Sequence, residues 1–217
     1  MTYLVLSIIL LSLQCFLYIK SVAKKCTFTF AFTIFLVTAH ICGLYILAPK
    51  IAIDSQKFFL NGNINQLLLA VLTHKDEWHL NYALTLFIRY GVVFERRLDG
   101  WDLPVHILFV VIFSSIISLF INELACAVFP HQGFENYELL GFAEAASTLG
   151  VIYCLNGHGT FKQFNLPFGF HVRVSRSFQR WVAFFCSDVQ RAFNFPIGFI
   201  GPITSGILCF HLFSKLQ

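Results

Sequence analysis

The chain has 217 residues, of which 57% are hydrophobic and only 12% are charged, with a formal net charge of +4. A soluble domain typically carries about twice that charged share, so the composition excludes a disordered chain, a nucleic-acid binder and an ordinary soluble enzyme. A chain of this composition can remove so much apolar surface from water only inside a lipid bilayer. We therefore expect a membrane protein, in which basic residues report orientation.

Seven apolar runs along the chain are interpreted as helices. Inside a bilayer every backbone polar group must be satisfied within its own segment, which favours helices of about 20 residues. In chain order the runs are Tyr3–Ile19, Thr27–Ala48, His79–Phe94, Leu103–Phe129, Leu139–Leu155, Phe178–Val189 and Phe195–Phe213. They predict an all-α fold in the form of a polytopic transmembrane helical bundle.

The first run is expected to be a retained anchor rather than a cleaved signal peptide. No basic region precedes it, whereas Lys20, Lys24 and Lys25 follow it. Residues 1–25 are therefore expected to form a signal-anchor helix and a basic cytosolic turn. Residues 27–213 then form the membrane domain, and residues 214–217 form a short cytosolic tail. Pro49–Trp78 is expected to be an interfacial or re-entrant loop.

Basic residues divide unequally between the two sides of this bundle. Cytosolic segments of membrane proteins are enriched in Lys and Arg. With the turn after the first helix in the cytosol, the cytosolic side receives ten basic residues and the other side four. The two groups are Lys20, Lys24, Lys25, Arg96, Arg97, Lys162, Arg173, Arg176, Arg180 and Lys215, against Lys50, Lys57, Lys75 and Arg191.

The seven cysteines do not suggest a disulfide framework or a metal site. Their number is odd, they are scattered through apolar runs, and no Cys or His spacing matches that of metal ligands. We expect them to be small buried hydrophobic side chains. No metal and no cofactor are expected. The cysteines are Cys15, Cys26, Cys42, Cys126, Cys154, Cys186 and Cys209.

The clearest pattern lies between Gly62 and Trp101. A histidine ends the interfacial segment, a second opens the next helix, and that helix closes with a glycine, a glutamate and a basic turn. These residues are His74, His79, Gly91, Glu95 and Arg96. The series resembles the rhomboid superfamily of intramembrane serine proteases, although the glycine of the following turn comes one residue late, at Gly100. The resemblance extends over Thr27–Phe213 and implies a six-helix core with one extra N-terminal helix.

The same resemblance implies where the catalytic groups would lie. A helix opens at Gly141, and Gly206 belongs to a glycine-spaced final helix. On this alignment the family's nucleophilic serine is replaced by Ala143 and its base histidine by Phe199. An oxyanion-binding asparagine is likewise replaced by Ala83, so that only His79 is retained. Serine needs a base to remove its proton, so the resemblance implies a catalytically inactive pseudoprotease. It is similar to derlins and to the ubiquitin-associated-domain-containing pseudoprotease of the endoplasmic reticulum.

Glu144 and Arg89 are charged residues inside expected spans. An ionisable group in a bilayer is costly and usually faces a cavity or a partner. Together with His79 they are candidates for binding a client helix. The resemblance implies an adaptor in the endoplasmic reticulum membrane, with the bilayer, transmembrane clients and ubiquitin-ligase or degradation components as partners, and no nucleic acid.

Two other functions stay open at this point. An active intramembrane serine endopeptidase would need a displaced catalytic pair, for which Ser147 and His211 are the nearest candidates. Their expected depths differ by about 12 Å, which is too far for proton transfer. A small transporter or channel is the second alternative, and its support is limited to Arg89 and Glu144.

Overall fold

The structure is a computed structural model that describes residues 26–44, 50–98, 102–129, 138–156, 161–165, 171–194 and 196–214. The expected anchor helix Tyr3–Ile19, its basic turn and most of the predicted tail lie outside the described residues. The described part contains eight α-helices, which confirms the helical fold class. They are α1 (Thr27–Ala39), α2 (Ser55–Asn61), α3 (Ile64–Leu72), α4 (Glu77–Glu95), α5 (Asp102–Val128), α6 (Ala143–Leu155), α7 (Arg176–Asn194) and α8 (Pro196–Ser214).

Two small antiparallel pairs of strands accompany these helices, and the sequence patterns did not predict them. β1 (Ile53–Asp54) pairs with β2 (Glu138–Leu139) and joins the segment before α2 to the segment before α6. β3 (Phe161–Asn165) pairs with β4 (His171–Ser175) between α6 and α7. The strands are short enough that helices still dominate the fold.

The predicted runs differ from the helices mainly at their ends. α4, α5 and α8 begin and end within two residues of the predictions, whereas α1 passes into one π-helical turn at His40–Leu44. α6 begins four residues later than predicted, at Ala143. Leu139 belongs to β2, and Gly141 has a φ of +82°, which a helix cannot contain. The predicted interfacial loop contains α2 and α3.

α6 lies at the centre of the described bundle. Every residue from Gly141 to Ile152 is buried, and the helix packs against α4, α5, α7 and α8. α4 and α8 run parallel to it, with Gly150 against the Tyr90 ring of α4 and Gly206 of α8 against Val151. α1 packs against the other side of α4.

This arrangement gives the bundle two ends, which are named here by their residues. The Glu95 end contains the ends of α4 and α6 and the beginnings of α1, α5 and α7. The His74 end contains the end of α1, the beginnings of α4 and α6, and the α2–α3 segment.

Among the described residues, α5 is the one helix long and apolar enough to cross a membrane. It has 27 residues and a mean hydropathy of 2.4 over its most apolar stretch, of which 39% is buried inside the protein. Shorter apolar helices cover Thr27–Cys42, Ala143–Leu155 and Ile200–Leu212. The polytopic membrane bundle thus stays a prediction, with one clear candidate span in the described part.

Candidate functional site

His74, His79 and Gly141 come from distant parts of the chain and meet where α6 begins. The two imidazole rings lie 5.5 Å apart between centroids. The backbone N–H of Gly141 donates to the carbonyl of Ala70 at 2.8 Å, which ties this turn to the end of α3. A Cβ atom at Gly141 would lie 2.7 Å from Cε1 of His79 and 3.0 Å from Cδ2 of His74. Both this close approach and the positive φ require glycine here.

His74 has a structural role at this junction. Its Nε2 atom accepts a hydrogen bond from the backbone N–H of Phe142 at 3.2 Å, so this nitrogen carries no proton. Burial, assisted by the nearby His79 and His40, lowers the pKa of His74 to about 3. The imidazole is therefore neutral at physiological pH and serves as an acceptor for the start of α6.

The position that the resemblance assigns to the nucleophile is chemically inert. Ala143 is completely buried and presents only a methyl group. The preceding residue, Phe142, packs its ring edge-on against Phe32 at 5.3 Å and Phe87 at 5.1 Å. Ala83, which stands at the asparagine position, is also completely buried in α4. Aromatic and methyl groups occupy the space beside the helix start.

The last helix is aligned with α6 by a buried hydroxyl pair and a close glycine contact. Thr148 Oγ1 lies 2.9 Å from the Oγ of Ser205, 57 positions later, and a Cβ at Gly206 would lie 2.6 Å from Val151, 55 positions earlier. The same offset makes Ala143 level with residues 198–200. The backbone of Phe199 lies in this range, and its side chain lies outside the described residues.

The alternative pair Ser147 and His211 does not come together in this register. The offset makes His211 level with residues 154–156, which is about 10–13 Å along the helix axis from Ser147. Ser147 is completely buried, and its Oγ lies 3.4 Å from the hydroxyl of Tyr82. His211 is exposed near the end of α8.

Gly91 and Glu95 join α4 to α1 at the opposite end of the bundle. The carboxylate of Glu95 accepts hydrogen bonds from the backbone N–H groups of Phe28 at 2.7 Å and Thr29 at 2.9 Å. A Cβ at Gly91 would lie 3.1 Å from the Thr29 side chain, so glycine permits the close contact of the two helices. Arg96 follows in an exposed turn. This half of the motif stabilises the fold.

The three candidates for client binding lie in different environments. Glu144 is buried in the first turn of α6, where a negative charge is favoured by the helix N-terminus. His79 is half-buried at the junction. Arg89 is exposed on α4, ten residues or about 15 Å from His79, and its guanidinium lies 5.5 Å from the Tyr90 ring centroid. The structure therefore separates Arg89 from the other two.

A polar network that sequence reasoning missed holds α2 against α5. Ser55 donates to the carboxylate of Glu123 at 2.8 Å, and the Asn122 amide donates to Ser55 at 3.0 Å. Ser55 and Asn122 are almost completely buried. The signal in the sequence was the Asn122-Glu123 pair inside an otherwise apolar helix, since buried polar groups need partners.

Comparison with known proteins identifies no relative that would assign a function to these residues. No family model, no curated protein and no solved structure matches the chain. The described residues contain no group of three or more His, Cys, Asp or Glu side chains placed to hold a metal ion. The resemblance to rhomboids thus stays a prediction carried by the motif residues.

Proposed function

We propose that the protein is a rhomboid-like pseudoprotease of the endoplasmic reticulum membrane. It binds transmembrane clients and acts as an adaptor in membrane-protein quality control, degradation or trafficking. The observation that carries this proposal is the junction of His74, His79 and Gly141 at the start of α6. The resemblance requires these separate segments to meet there, and the next helical residue, Ala143, has a methyl group in place of a nucleophile.

The chemistry of this junction favours binding over hydrolysis. Acyl transfer needs a nucleophile and a base within about 3 Å of each other. Ala143 supplies no nucleophile, and Nε2 of His74 is already engaged with the backbone of Phe142. Ser147 and His211 are separated along the bundle. In serine proteases, loss of the nucleophile or the base alone lowers the rate by about 10⁶-fold.

Membrane insertion is supported by the outward faces of the helices. On α5 a row of large apolar side chains is exposed, which water would disfavour along a helix of this length. These side chains are Val105, Leu108, Phe109, Phe120, Leu124 and Val128. α1, α7 and α8 also expose apolar residues, among them Phe35, Phe178 and Leu212.

The division of basic residues supports the proposed orientation. Arg96, Arg97 and Arg176 are exposed at the Glu95 end, whereas Lys50 and Lys75 belong to the His74 end. With the Glu95 end in the cytosol, these arginines would lie on the side that is enriched in basic residues. The His74 end, with the inert junction, would then face the lumen.

A transporter has no comparable support. Its two charged residues would need to line one path through the bundle. Glu144 is buried at the His74 end, whereas Arg89 lies on the outside of α4. The described part of the chain therefore gives these two groups no shared path.

The proposal is tested with the full-length chain reconstituted in liposomes together with a fluorophosphonate probe. We expect carbonate-resistant insertion, no labelling by the probe and no cleavage of single-span test proteins, which nevertheless cross-link to the chain. Labelling that disappears in the Ser147→Ala variant would show an active protease instead. Extraction by carbonate, or the absence of any client after cross-linking in native membranes, would contradict the adaptor.

A further inference from the structure

One side of α4 combines exposure with polarity. Trp78, Asn81, Thr85 and Arg89 lie along this side at helical spacing and are named the polar stripe. Trp78 is 69% exposed, Thr85 and Arg89 are exposed, and Asn81 is half-buried. The other sides of α4 pack against α1 and α6. Within the described part of the chain, the polar stripe is thus the outer surface of this helix.

The depth of Arg89 makes this exposure costly in a membrane. Tryptophan side chains collect at the level of the lipid headgroups, and Arg89 is eleven residues, about 16 Å, further along the axis from Trp78. Glu95, at the other end of α4, is about 9 Å away. These distances place Arg89 within a hydrocarbon layer of about 30 Å. A charged group at this depth normally faces a partner or a cavity.

The chemistry of the polar stripe defines what can cover it. The guanidinium of Arg89 is always charged and offers several donors in one plane, which a carboxylate matches with paired hydrogen bonds. Thr85 donates its own hydroxyl proton to the carbonyl of Asn81 at 2.8 Å, so outward it offers an acceptor. An apolar helix satisfies neither group. A second copy joined by a twofold axis through the polar stripe would bring two Arg89 side chains together, which repels.

We infer that the polar stripe of α4 binds one transmembrane helix of another protein, which carries an aspartate or glutamate at mid-span opposite Arg89. This inference rests on the proposed adaptor function and names the class of client that the adaptor binds. Recognition comes from a buried ion pair, and an acceptor at Thr85 adds selectivity for polar helices.

The test uses the full-length chain in phosphatidylcholine nanodiscs with two synthetic helices. Both are leucine-alanine peptides of about 20 residues, one with a central aspartate and the other with leucine at that position. We expect the wild-type chain to bind the aspartate peptide about tenfold more tightly than the leucine peptide, in line with polar contacts between helices in membranes. Arg89→Leu removes this preference, and Arg89→Lys retains part of it.

Arg97→Leu is the matched control, because it removes an exposed arginine from the turn after α4 and leaves the polar stripe intact. We expect it to keep the full preference. A charge exchange gives a second test: Arg89→Glu should prefer a peptide with a central lysine. Unchanged preference in Arg89→Leu would overturn the inference and show that the side chain extends to the headgroups instead. An equal loss in Arg97→Leu would overturn it in favour of a general charge effect.

The inference and the proposed function fail in different ways. If clients cross-link equally to the wild type and to Arg89→Leu in native membranes, the adaptor stands and the polar stripe is not its binding surface. If the wild-type chain recovers no client at all, the adaptor itself fails. Circular dichroism of each variant in nanodiscs confirms that the helices are retained.

Discussion

α1 and α6 both lack a capping side chain at their own N-cap position. In both helices a side chain from the segment around α4 accepts hydrogen bonds from the N-terminal N–H groups and so acts as a borrowed cap. The N-cap residues, Cys26 and Phe142, make no side-chain capping bond of their own. At the Glu95 end a carboxylate accepts from two N–H groups of the first turn of α1. At the His74 end a neutral imidazole accepts from one N–H group at the start of α6. The N-terminus of α1 is thus capped by a charged carboxylate, and that of α6 by a neutral imidazole.

Burial explains why the two solutions differ. Glu95 is half-buried and stays close to solvent, so the charge can keep part of its hydration while the helix N-terminus favours it. His74 is completely buried, and a charge there would lose its hydration without an adequate partner. The lowered pKa of His74 reflects this cost. Helix capping by a distant side chain thus uses an ion only where water remains near.

Among single substitutions at neutral pH, the largest predicted effect comes from crowding the neutral cap. Gly141→Ala places an alanine in a left-handed backbone conformation and brings its methyl group against both imidazoles. We expect a loss of about 3 kcal/mol in the free energy of unfolding, measured by chemical denaturation in detergent micelles. Gly62→Ala is the control, since its φ is +60° and no atom lies within 4 Å of the added carbon. It should lose only about 1 kcal/mol. Equal losses in the two variants would show that the ring contacts are not important.

The next effect comes from removing the charge at the other cap. Glu95→Gln keeps one acceptor for the start of α1 but loses the ionised pair of hydrogen bonds. We expect a loss of about 2 kcal/mol, since hydrogen bonds to charged groups contribute about 1.5–3 kcal/mol. The same denaturation measurement checks it. Arg96→Gln, which changes the exposed neighbouring side chain, should change stability by less than about 0.5 kcal/mol. A similar loss in both variants would show that the two hydrogen bonds from the start of α1 do not determine the loss.

The sequence indicated the motif residues at both caps but not how they work. The spacing of His74, Gly91 and Glu95 was visible through the resemblance, and the apolar runs predicted α4 and α5 to within two residues. Local signals also exist for the self-capped helices, as Asn63 and Asp76 each precede a helix and accept a hydrogen bond from its first turn.

What the sequence could not show depends on contacts between distant segments. The late start of α6 follows from the pairing of β2 with β1 and from the left-handed Gly141, and neither leaves a local hydrophobic pattern. Arg89 was expected inside a span, and only the helix packing shows that it faces outward. The network of Ser55 with α5 joins residues 67 and 68 positions apart.

Acidification should destabilise the protein through the neutral cap at His74. Below the ordinary histidine pKa of 6.5 the unfolded chain takes up a proton at His74, whereas the folded chain does not until about pH 3. Stability present above pH 6.5 is therefore lost as the pH falls through this range, by about 1.4 kcal/mol per pH unit from this group. His74→Gln keeps an acceptor and does not titrate, so its unfolding free energy should fall less steeply between pH 6.5 and about pH 4. Parallel curves for the two proteins would contradict the neutral cap.

The smallest predicted effect concerns a helix that caps itself. The Asp76 carboxylate accepts from the backbone N–H of His79 at 2.8 Å at the start of α4, and Asp76 is exposed. Asp76→Ala should cost about 1 kcal/mol, whereas Asp76→Asn, which retains the acceptor, should cost a few tenths. This local cap is close to water and makes one bond, so it should contribute less than the borrowed cap at Glu95. If Asp76→Ala destabilised the protein as much as Glu95→Gln, the number of bonds and their burial would not determine how much a cap stabilises a helix.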